Sequence, residues 1–308
     1  MGCLFYIQTT RAMDNIKKFE FTSILGWSSS RYDLFTSCKR KYFYNYYAKF
    51  DEEFTKKHID ALKRLTSIPL EIGNIVHDVN KVILERLQKT ARPIDPEKFQ
   101  QFVQNKTMEY CHAKTFQEIY YQKLNQINFE NEVLPKVNLA LNNFLKNQRF
   151  NWLLSDALPG SDQWVVEPGG FGETKINNLK AYCKVDFLFP IGDELYIIDW
   201  KTGKAHPEKH KKQMLGYTSW ASYHYDIPPE KIVPIVVYLL PEYRETSIRF
   251  TQTDIEQFNQ QVKDETVQMY ELCTNVNENI PREKSEFPLT EQKIFCNYCS
   301  YKELCFPD

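Results

Sequence analysis

Apolar residues recur at helical spacing at two places in the first half of the chain. After Pro69 they stand three or four positions apart: Ile72, Ile75, Val76, Val79, Val82, Ile83 and Leu87. A second stripe follows further along: Leu134, Val137, Leu141, Phe144 and Leu145. This period predicts helices that each bury one face. An earlier helix is predicted over residues 28 to 50, because serines at 28–30 can cap it and Asp33 suits its first turn.

The second half of the chain contains short runs rich in β-branched and aromatic residues. Residues 163–167, 180–189, 194–200 and 232–240 are predicted strands, with a turn at 190–193. Residues 246–251 are expected to pair with the fourth run. Pro207 opens a predicted helix that ends near residue 225, and Thr253 with Glu256 forms a capping box for a last helix to about residue 273. Helix, three strands, helix and strand in this order predict an α/β fold with a mixed central sheet flanked by helices.

The change from helical periodicity to strand-like runs divides the chain into five predicted segments. These are an N-terminal extension (1–27), N-terminal helices (28–91), a helical insertion (92–152), an α/β core (153–274) and a C-terminal cysteine segment (275–308).

The balance of charge limits the kind of partner. The chain has 39 basic and 40 acidic residues, a net charge of -1, which excludes a globally basic, histone-like nucleic-acid binder but allows a local basic groove. No uncharged apolar stretch is long enough for a membrane span. The first residues lack the basic start and apolar core of a signal peptide, so a cytoplasmic protein without membrane contact is expected.

Three of the eight cysteines lie close together near the C-terminus. Cys296, Cys299 and Cys305 form the pattern C-x2-C-x5-C. In a chain without an export signal, such close thiolates predict metal or cluster ligands. The cysteines outside such a pattern are better interpreted as small buried hydrophobes: Cys3, Cys111, Cys183 and Cys273.

Two carboxylates and a lysine stand at predicted strand ends. Asp199 and Lys201 are two positions apart, so their side chains lie on one face of the strand. Antiparallel pairing would bring Asp186 close to Asp199. Converging carboxylates suit Mg²⁺ or Mn²⁺, and a lysine there can orient a water and offset negative charge. The set suits phosphodiester hydrolysis, although the spacing alone also allows two solvent-facing acids beside a surface lysine.

Six motifs in this order resemble the PD-(D/E)XK nuclease superfamily, and within it the RecB- and AddB-type branch and the iron–sulfur nucleases of CRISPR adaptation. They are the serine-rich helix with Cys38, the G-x3-H of residues 73–77, Val185-Asp186, the D-x-K-T-G of 199–203, the Q-x3-Y of 213–217, and the C-terminal cysteines. The resemblance spans residues 28 to 306 except the insertion. It departs at Lys39, where relatives often have proline, and at Asp199, where many have glutamate.

This resemblance implies a restriction-endonuclease-like core (αβββαβ) and a catalytic role for the matching residues. His77, Asp186, Asp199 and the Trp200 carbonyl would bind Mg²⁺ or Mn²⁺, and Lys201 would be the catalytic lysine. Gln213 and Tyr217 would position the lysine loop or the nucleic acid. Glu167 would match an acidic residue that some members carry on the first strand.

The resemblance also implies a [4Fe–4S] cluster that joins the two ends of the chain. Its ligands would be Cys38, Cys296, Cys299 and Cys305, and its role would be structural. Four thiolates suit Zn²⁺ as well, so a structural zinc is the alternative.

Local basic residues would bind the phosphates of DNA. They lie beside the first cysteine and the D-x-K-T-G motif: Lys39, Arg40, Lys41, Lys204, Lys211 and Lys212. We expect a metal-dependent deoxyribonuclease, an exonuclease on single-stranded or end-exposed DNA. The alternative is a non-catalytic DNA-end-binding or assembly subunit of a repair, recombination or defence complex. No G-x4-G-K-[ST] motif is present, so unwinding would require a partner helicase.

Overall fold

A computed structural model describes residues 19–20, 22–90, 92–167 and 174–306. Most of the predicted N-terminal extension, with Cys3, lies outside the described residues. The helices are α1 (Ser29–Ser37), α2 (Lys39–Tyr47), α3 (Lys56–Lys63), α4 (Ile68–Lys89), α5 (Pro96–His112), α6 (Gln117–Tyr120), α7 (Phe129–Glu132), α8 (Leu134–Leu145), α9 (Gln148–Trp152), α10 (Pro207–Tyr225), α11 (Gln252–Tyr270) and α12 (Lys302–Cys305). The strands are β1 (Val165–Val166), β2 (Thr174–Ile176), β3 (Leu179–Ala181), β4 (Phe187–Ile191), β5 (Glu194–Lys201), β6 (Ile232–Tyr238), β7 (Arg244–Ser247), β8 (Cys273–Asn275) and β9 (Ile280–Pro281).

A five-stranded mixed sheet with the order β1-β4-β5-β6-β7 forms the centre of the fold. Strands β5 and β6 are parallel, and the other neighbouring pairs are antiparallel. Gly192 closes the β4–β5 hairpin at φ +62°, a conformation that glycine adopts without strain. Helix α10 connects the parallel pair. The structure therefore confirms the predicted α/β fold with a mixed sheet flanked by helices.

Each face of the sheet is covered by its own apolar cluster. Alternation along β5 sends Leu195 and Ile197 to one cluster and Ile198 and Trp200 to the other. The first cluster contains side chains from α1, α2, α10 and α11, and the second contains side chains from α4, α5 and α8. The central strand is buried on both faces, so its end lies where the two layers of helices meet.

The prediction of one continuous helix over residues 28 to 50 is wrong, because the structure has two helices there. Cys38 has an extended backbone (φ −163°, ψ 109°) that separates α1 from α2. Its Sγ accepts a hydrogen bond from the Lys41 amide at 3.4 Å, so the cysteine caps the second helix. Ser28 caps the first helix through the Arg31 amide, and Asp33 lies beyond the first turn.

The predicted strand over residues 180–189 is two strands. β3 pairs with β2 in a separate hairpin, and β4 pairs with β5 in the main sheet. The backbone on either side of Ala181 bonds to Trp27, since the Trp27 amide donates to the Lys180 carbonyl and the Tyr182 amide donates to the Trp27 carbonyl. These bonds divert the chain from the sheet, although its composition favours a strand throughout. Asp186 consequently precedes β4.

The last long helix begins earlier than its predicted capping box. Thr251 and Asp254 form the box, and α11 starts at Gln252 and ends at Tyr270. Two overlapping patterns in the sequence could cap this helix, and the structure uses the first. Helix α3 was not predicted. In the described part of the chain, no helix is both long enough and apolar enough to cross a membrane.

A buried carboxylate joins α10, α11 and the segment before α1. Glu265 is 5% exposed and accepts hydrogen bonds from Trp27 Nε1 at 2.8 Å, Lys212 Nζ at 2.7 Å and Gln261 Nε2 at 2.7 Å. The carboxylate satisfies an indole and an ammonium group that are both largely removed from water. It therefore fixes Trp27 beside the end of β5.

Replacing Glu265 by alanine is expected to lower the free energy of unfolding by about 3 kcal/mol, because the Lys212 ammonium and the Trp27 N–H lose their buried partner. Chemical denaturation monitored by circular dichroism measures this change. Glu256→Ala, an exposed glutamate on the same helix, is the matched control and should change stability by less than about 0.5 kcal/mol. Equal effects of the two substitutions would contradict this role.

Candidate active site

Polar groups from three elements meet at the end of β5. His77 on α4 places Nε2 2.9 Å from the Trp200 carbonyl oxygen. Asp186, just before β4, accepts a hydrogen bond from the Trp200 amide at 3.0 Å. The backbone of Trp200 thus contacts both side chains. The pairing of β4 with β5 places Asp186 beside this backbone.

Gly73 allows α4 to approach the end of this strand. A Cβ at this position would lie 3.2 Å from Thr202 Oγ1, closer than an ordinary contact. Glycine at residue 73 and histidine at residue 77 are one helical turn apart, so they face the same way. The G-x3-H spacing therefore combines a close approach with a ligand that reaches the strand end.

Three ligand atoms at this point lie within 4.8 Å of one another, one each from His77, Glu167 and Asp186. His77 Nδ1 is 3.8 Å from Glu167 Oε1 and 3.5 Å from Asp186 Oδ2. The Glu167 amide donates to the Asp186 carbonyl, which fixes the glutamate beside the aspartate. An imidazole nitrogen and carboxylate oxygens are suitable donors for Mg²⁺ or Mn²⁺. Glu167, which the sequence indicated only through its match to an acidic residue of some family members, belongs to this set.

The imidazole of His77 balances these carboxylates. Burial alone would lower its pKa, but Asp186, Glu167 and Asp199 outweigh burial and raise the pKa to about 10. Burial would likewise raise the pKa of Asp186, but His77, Lys201 and the Trp200 amide hold that pKa below its usual range. The imidazolium therefore supplies positive charge where a cation would bind.

A second group lies on the other side of the strand end. Lys201 Nζ is 2.5 Å from Asp199 Oδ2, as expected for residues two positions apart. Tyr217 OH donates to Asp199 Oδ1 at 3.3 Å, and Gln213 Nε2 lies 3.3 Å from the same oxygen and 2.6 Å from Tyr217 OH. Asp199 is 1% exposed. Burial and the negative charge of Asp186 raise its pKa to about 6 despite the opposing effect of Lys201.

These groups open into a cleft of about 470 Å³. Asp186, Asp199 and Lys201 line it, together with the first turn of α1, Tyr182 and Lys184. The cleft is large enough for a nucleotide-sized group to approach the carboxylates. The structure thus brings together every sequence-predicted residue of the metal and lysine set.

The basic residues predicted to contact DNA differ in their surroundings. Lys212 forms the ion pair with Glu265 and is mostly covered. Arg40 donates to the Phe287 carbonyl at 2.9 Å, and Lys39 Nζ lies 4.6 Å from the Phe35 ring centroid. Lys204 and Lys211 are exposed near the strand end, and Lys41 is half-buried. Lys204 and Lys211 are therefore the most accessible of the set.

The four cysteines of the proposed cluster come from opposite ends of the chain and gather at one place. Helix α2 contacts the C-terminal segment through the Arg40 amide, which donates to the Pro288 carbonyl, and through Tyr44 OH, which donates to the Leu304 carbonyl. Burial, together with nearby Cys299, Cys38 and Cys296, raises the pKa of Cys305 to about 12. Neighbouring thiolates repel one another unless a cation lies between them.

The scattered cysteines within the described residues are buried. Cys111, Cys183 and Cys273 lie in the apolar clusters, as expected from the sequence. No pair among the described cysteines is joined in a disulfide.

Comparison with known families identifies the fold family. A profile of the PD-(D/E)XK nuclease superfamily matches residues 26–306. The chain belongs to this superfamily. PD-(D/E)XK nucleases usually use Mg²⁺ or Mn²⁺, and the donors of His77, Glu167 and Asp186 fit such an ion.

Two further comparisons add little to this assignment. No curated protein sequence matches the chain. Among solved structures, the crystal structure of SSO0001 aligns with 16% sequence identity over 61% of this chain and 78% of that chain, at a TM-score of 0.28.

Metal affinity is expected to rise with pH. His77 is protonated in the metal-free protein below its pKa of about 10, and it must lose that proton before its nitrogen can bind a metal ion. Between about pH 7 and pH 8.5, where the carboxylates stay ionised, each pH unit should increase Mn²⁺ affinity about tenfold. Isothermal titration calorimetry measures the affinity. His77→Gln should bind Mn²⁺ more weakly and without this slope, and a flat profile for the wild-type protein would contradict the assignment.

Proposed function

We propose that the protein is a metal-dependent deoxyribonuclease that hydrolyses phosphodiester bonds in single-stranded or end-exposed DNA, as an exonuclease. The observation that supports this most is the convergence of His77, Glu167 and Asp186, whose shared member Asp186 lines the same cleft as the Asp199–Lys201 pair. A protein that only binds DNA has no need of buried carboxylates paired with a lysine at this position.

In this proposal His77, Asp186 and Asp199 hold Mg²⁺ or Mn²⁺ with the Trp200 carbonyl, and Glu167 joins them. When bound, the ion lowers the pKa of a water and stabilises the charge that develops on the leaving oxygen. The Trp200 amide orients Asp186, and the buried position of Asp199 excludes competing water.

Lys201 supplies positive charge to the scissile phosphate. The Lys201 ammonium group is held by Asp199, and the side chain is one-fifth exposed. The group is therefore fixed in position and still accessible from the cleft. Gln213 and Tyr217 hold the opposite oxygen of Asp199, which keeps that carboxylate from rotating away. A positioned cation of this kind is worth more here than in water, because the transition state carries additional negative charge.

Lys201→Ala is expected to lower the rate of cleavage at least about 100-fold, because the cation that offsets the developing charge is lost. End-labelled single-stranded and double-stranded DNA with Mg²⁺ or Mn²⁺ are the substrates, and the labelled products give the polarity. Lys231→Ala, a partly exposed lysine at the far end of β6, is the matched control and should cleave like the wild-type protein.

Two results would contradict the nuclease proposal. A folded Lys201→Ala protein that cleaves as fast as wild type would reject this mechanism. A wild-type protein that binds DNA in EDTA but does not cleave it with Mn²⁺ would favour the non-catalytic DNA-end-binding or assembly subunit. In either case, unwinding of duplex DNA would come from a partner such as a helicase in a repair or defence complex.

We also propose that Cys38, Cys296, Cys299 and Cys305 hold a structural [4Fe–4S] cluster, as in the RecB- and AddB-type branch. The proximity of the four thiols and the repulsion among their thiolates support a bound metal centre. Structural Zn²⁺ is the alternative, since the same four sulfurs suit it.

Cys38→Ala is expected to lose the cluster and to lower the melting temperature, because the ligands join distant parts of the chain and their binding is coupled to folding. The anaerobically purified wild-type protein should contain about four iron and four sulfide per chain. Cys111→Ala, a buried cysteine elsewhere in the core, is the control and should keep its iron. Zinc in place of iron would support the alternative, and a metal-free, equally stable wild-type protein would contradict both.

A further inference from the structure

A short segment before β4 directs three different side chains into the cleft. Tyr182, Lys184 and Asp186 line it. Cys183 also borders the cleft but is more deeply buried, against the Gly216 carbonyl, and Val185 is buried in the core. This alternation is that of an extended chain, in which side chains two positions apart recur about every 7 Å. An aromatic ring, an ammonium group and a metal-binding carboxylate therefore stand in a row.

The ring of Tyr182 is held in a fixed position. The Tyr182 amide donates to the Trp27 carbonyl at 2.7 Å, and Trp27 is itself anchored to Glu265. Gly26 provides the space for the ring, because a Cβ there would lie 2.5 Å from Tyr182 Cε2. The Arg31 guanidinium lies 5.4 Å from the ring centroid. Lys180 Nζ lies 5.6 Å from the same centroid, and the side chain as a whole is half-buried and lines the cleft.

Lys184 is the most exposed member of the row. Its side chain is 62% exposed, and Nζ is 3.3 Å from Glu167 Oε2. The ammonium group therefore stands at the edge of the metal-binding set and keeps donors free toward the cleft. A phosphate next to the scissile one would lie within its reach if the strand followed the row.

We propose that this row is a substrate subsite: Tyr182 packs against an unpaired base adjacent to the scissile phosphate, and Lys184 binds a phosphate of the same strand. The inference rests on the proposed nuclease function and specifies its substrate as an unpaired strand. A base within a duplex has both faces stacked and cannot offer one to Tyr182. Contact between a base and an aromatic side chain is tolerant of sequence, so the subsite selects strandedness and not sequence.

Binding of a short labelled single strand in EDTA, measured by fluorescence anisotropy, tests the subsite without cleavage. Tyr182→Ala should weaken binding about tenfold, the effect of losing one base–aromatic contact. Tyr182→Phe should bind within about twofold of wild type, because the ring is kept, and it shows whether the position tolerates substitution. Tyr223→Ala, an exposed tyrosine on α10, is the control and should bind like wild type.

A series of strands, each with one abasic site at a different position, locates the contact. One position should weaken wild-type binding about as much as Tyr182→Ala does, and the Tyr182→Ala protein should be indifferent to the same abasic site. Additive losses, or wild-type affinity for a folded Tyr182→Ala protein, would overturn the subsite.

The same variants in a Mn²⁺ cleavage assay separate the two proposals. A wild-type protein that cleaves while Tyr182→Ala keeps full affinity and full preference for single strands would leave the nuclease proposal standing and reject the subsite. A wild-type protein that binds but does not cleave would reject the nuclease proposal, and the abasic series would still decide on the contact with Tyr182.

Discussion

The burial of two carboxylates at the end of β5 is the constraint on which the rest of the site depends. Removing an ionised carboxylate from water costs several kcal/mol unless partners replace the water. Around Asp186 the water is replaced by His77 and the Trp200 amide. Around Asp199 it is replaced by Lys201, Gln213 and Tyr217. These partners come from three elements, so α4, β5 and α10 must all be in place for the carboxylates to stay charged.

The charge at this point is balanced only while His77 is protonated. Asp186, Asp199 and Glu167 bring three negative charges, and His77, Lys201 and Lys184 bring three positive ones. Loss of the His77 proton leaves an excess of one negative charge, which a divalent ion would more than offset. In the proposed metal site, a divalent ion would replace this proton, and such an exchange would account for a histidine on α4 in a set otherwise made of acids and lysines.

The sequence predicted the elements of the site better than the path of the chain between them. Periodicity identified α4 and α8, Pro207 marked the start of α10, and the spacing of Asp199 and Lys201 fixed their common face, because these patterns are local. The split of the 180–189 run could not be predicted, since it depends on hydrogen bonds to Trp27, more than 150 positions away. The break at Cys38 was missed for a related reason: its residues favour a helix, and the C-terminal segment that packs on α2 is distant in sequence. Glu167 carried no spacing signal of its own, and only the fold brings it beside Asp186.

Helix α1 joins the cysteines to the cleft. Its first turn lines the cleft, and its C-terminal cap is Cys38, so nine residues, about 13 Å of helix, separate the two. A rigid helix transmits a displacement at one end to the other, because its backbone hydrogen bonds leave little freedom between them. If the four thiols hold a metal centre, that centre fixes one end of the helix whose other end forms a wall of the cleft. Its structural role would then extend to the substrate, although none of the four cysteines is among the residues that line the cleft.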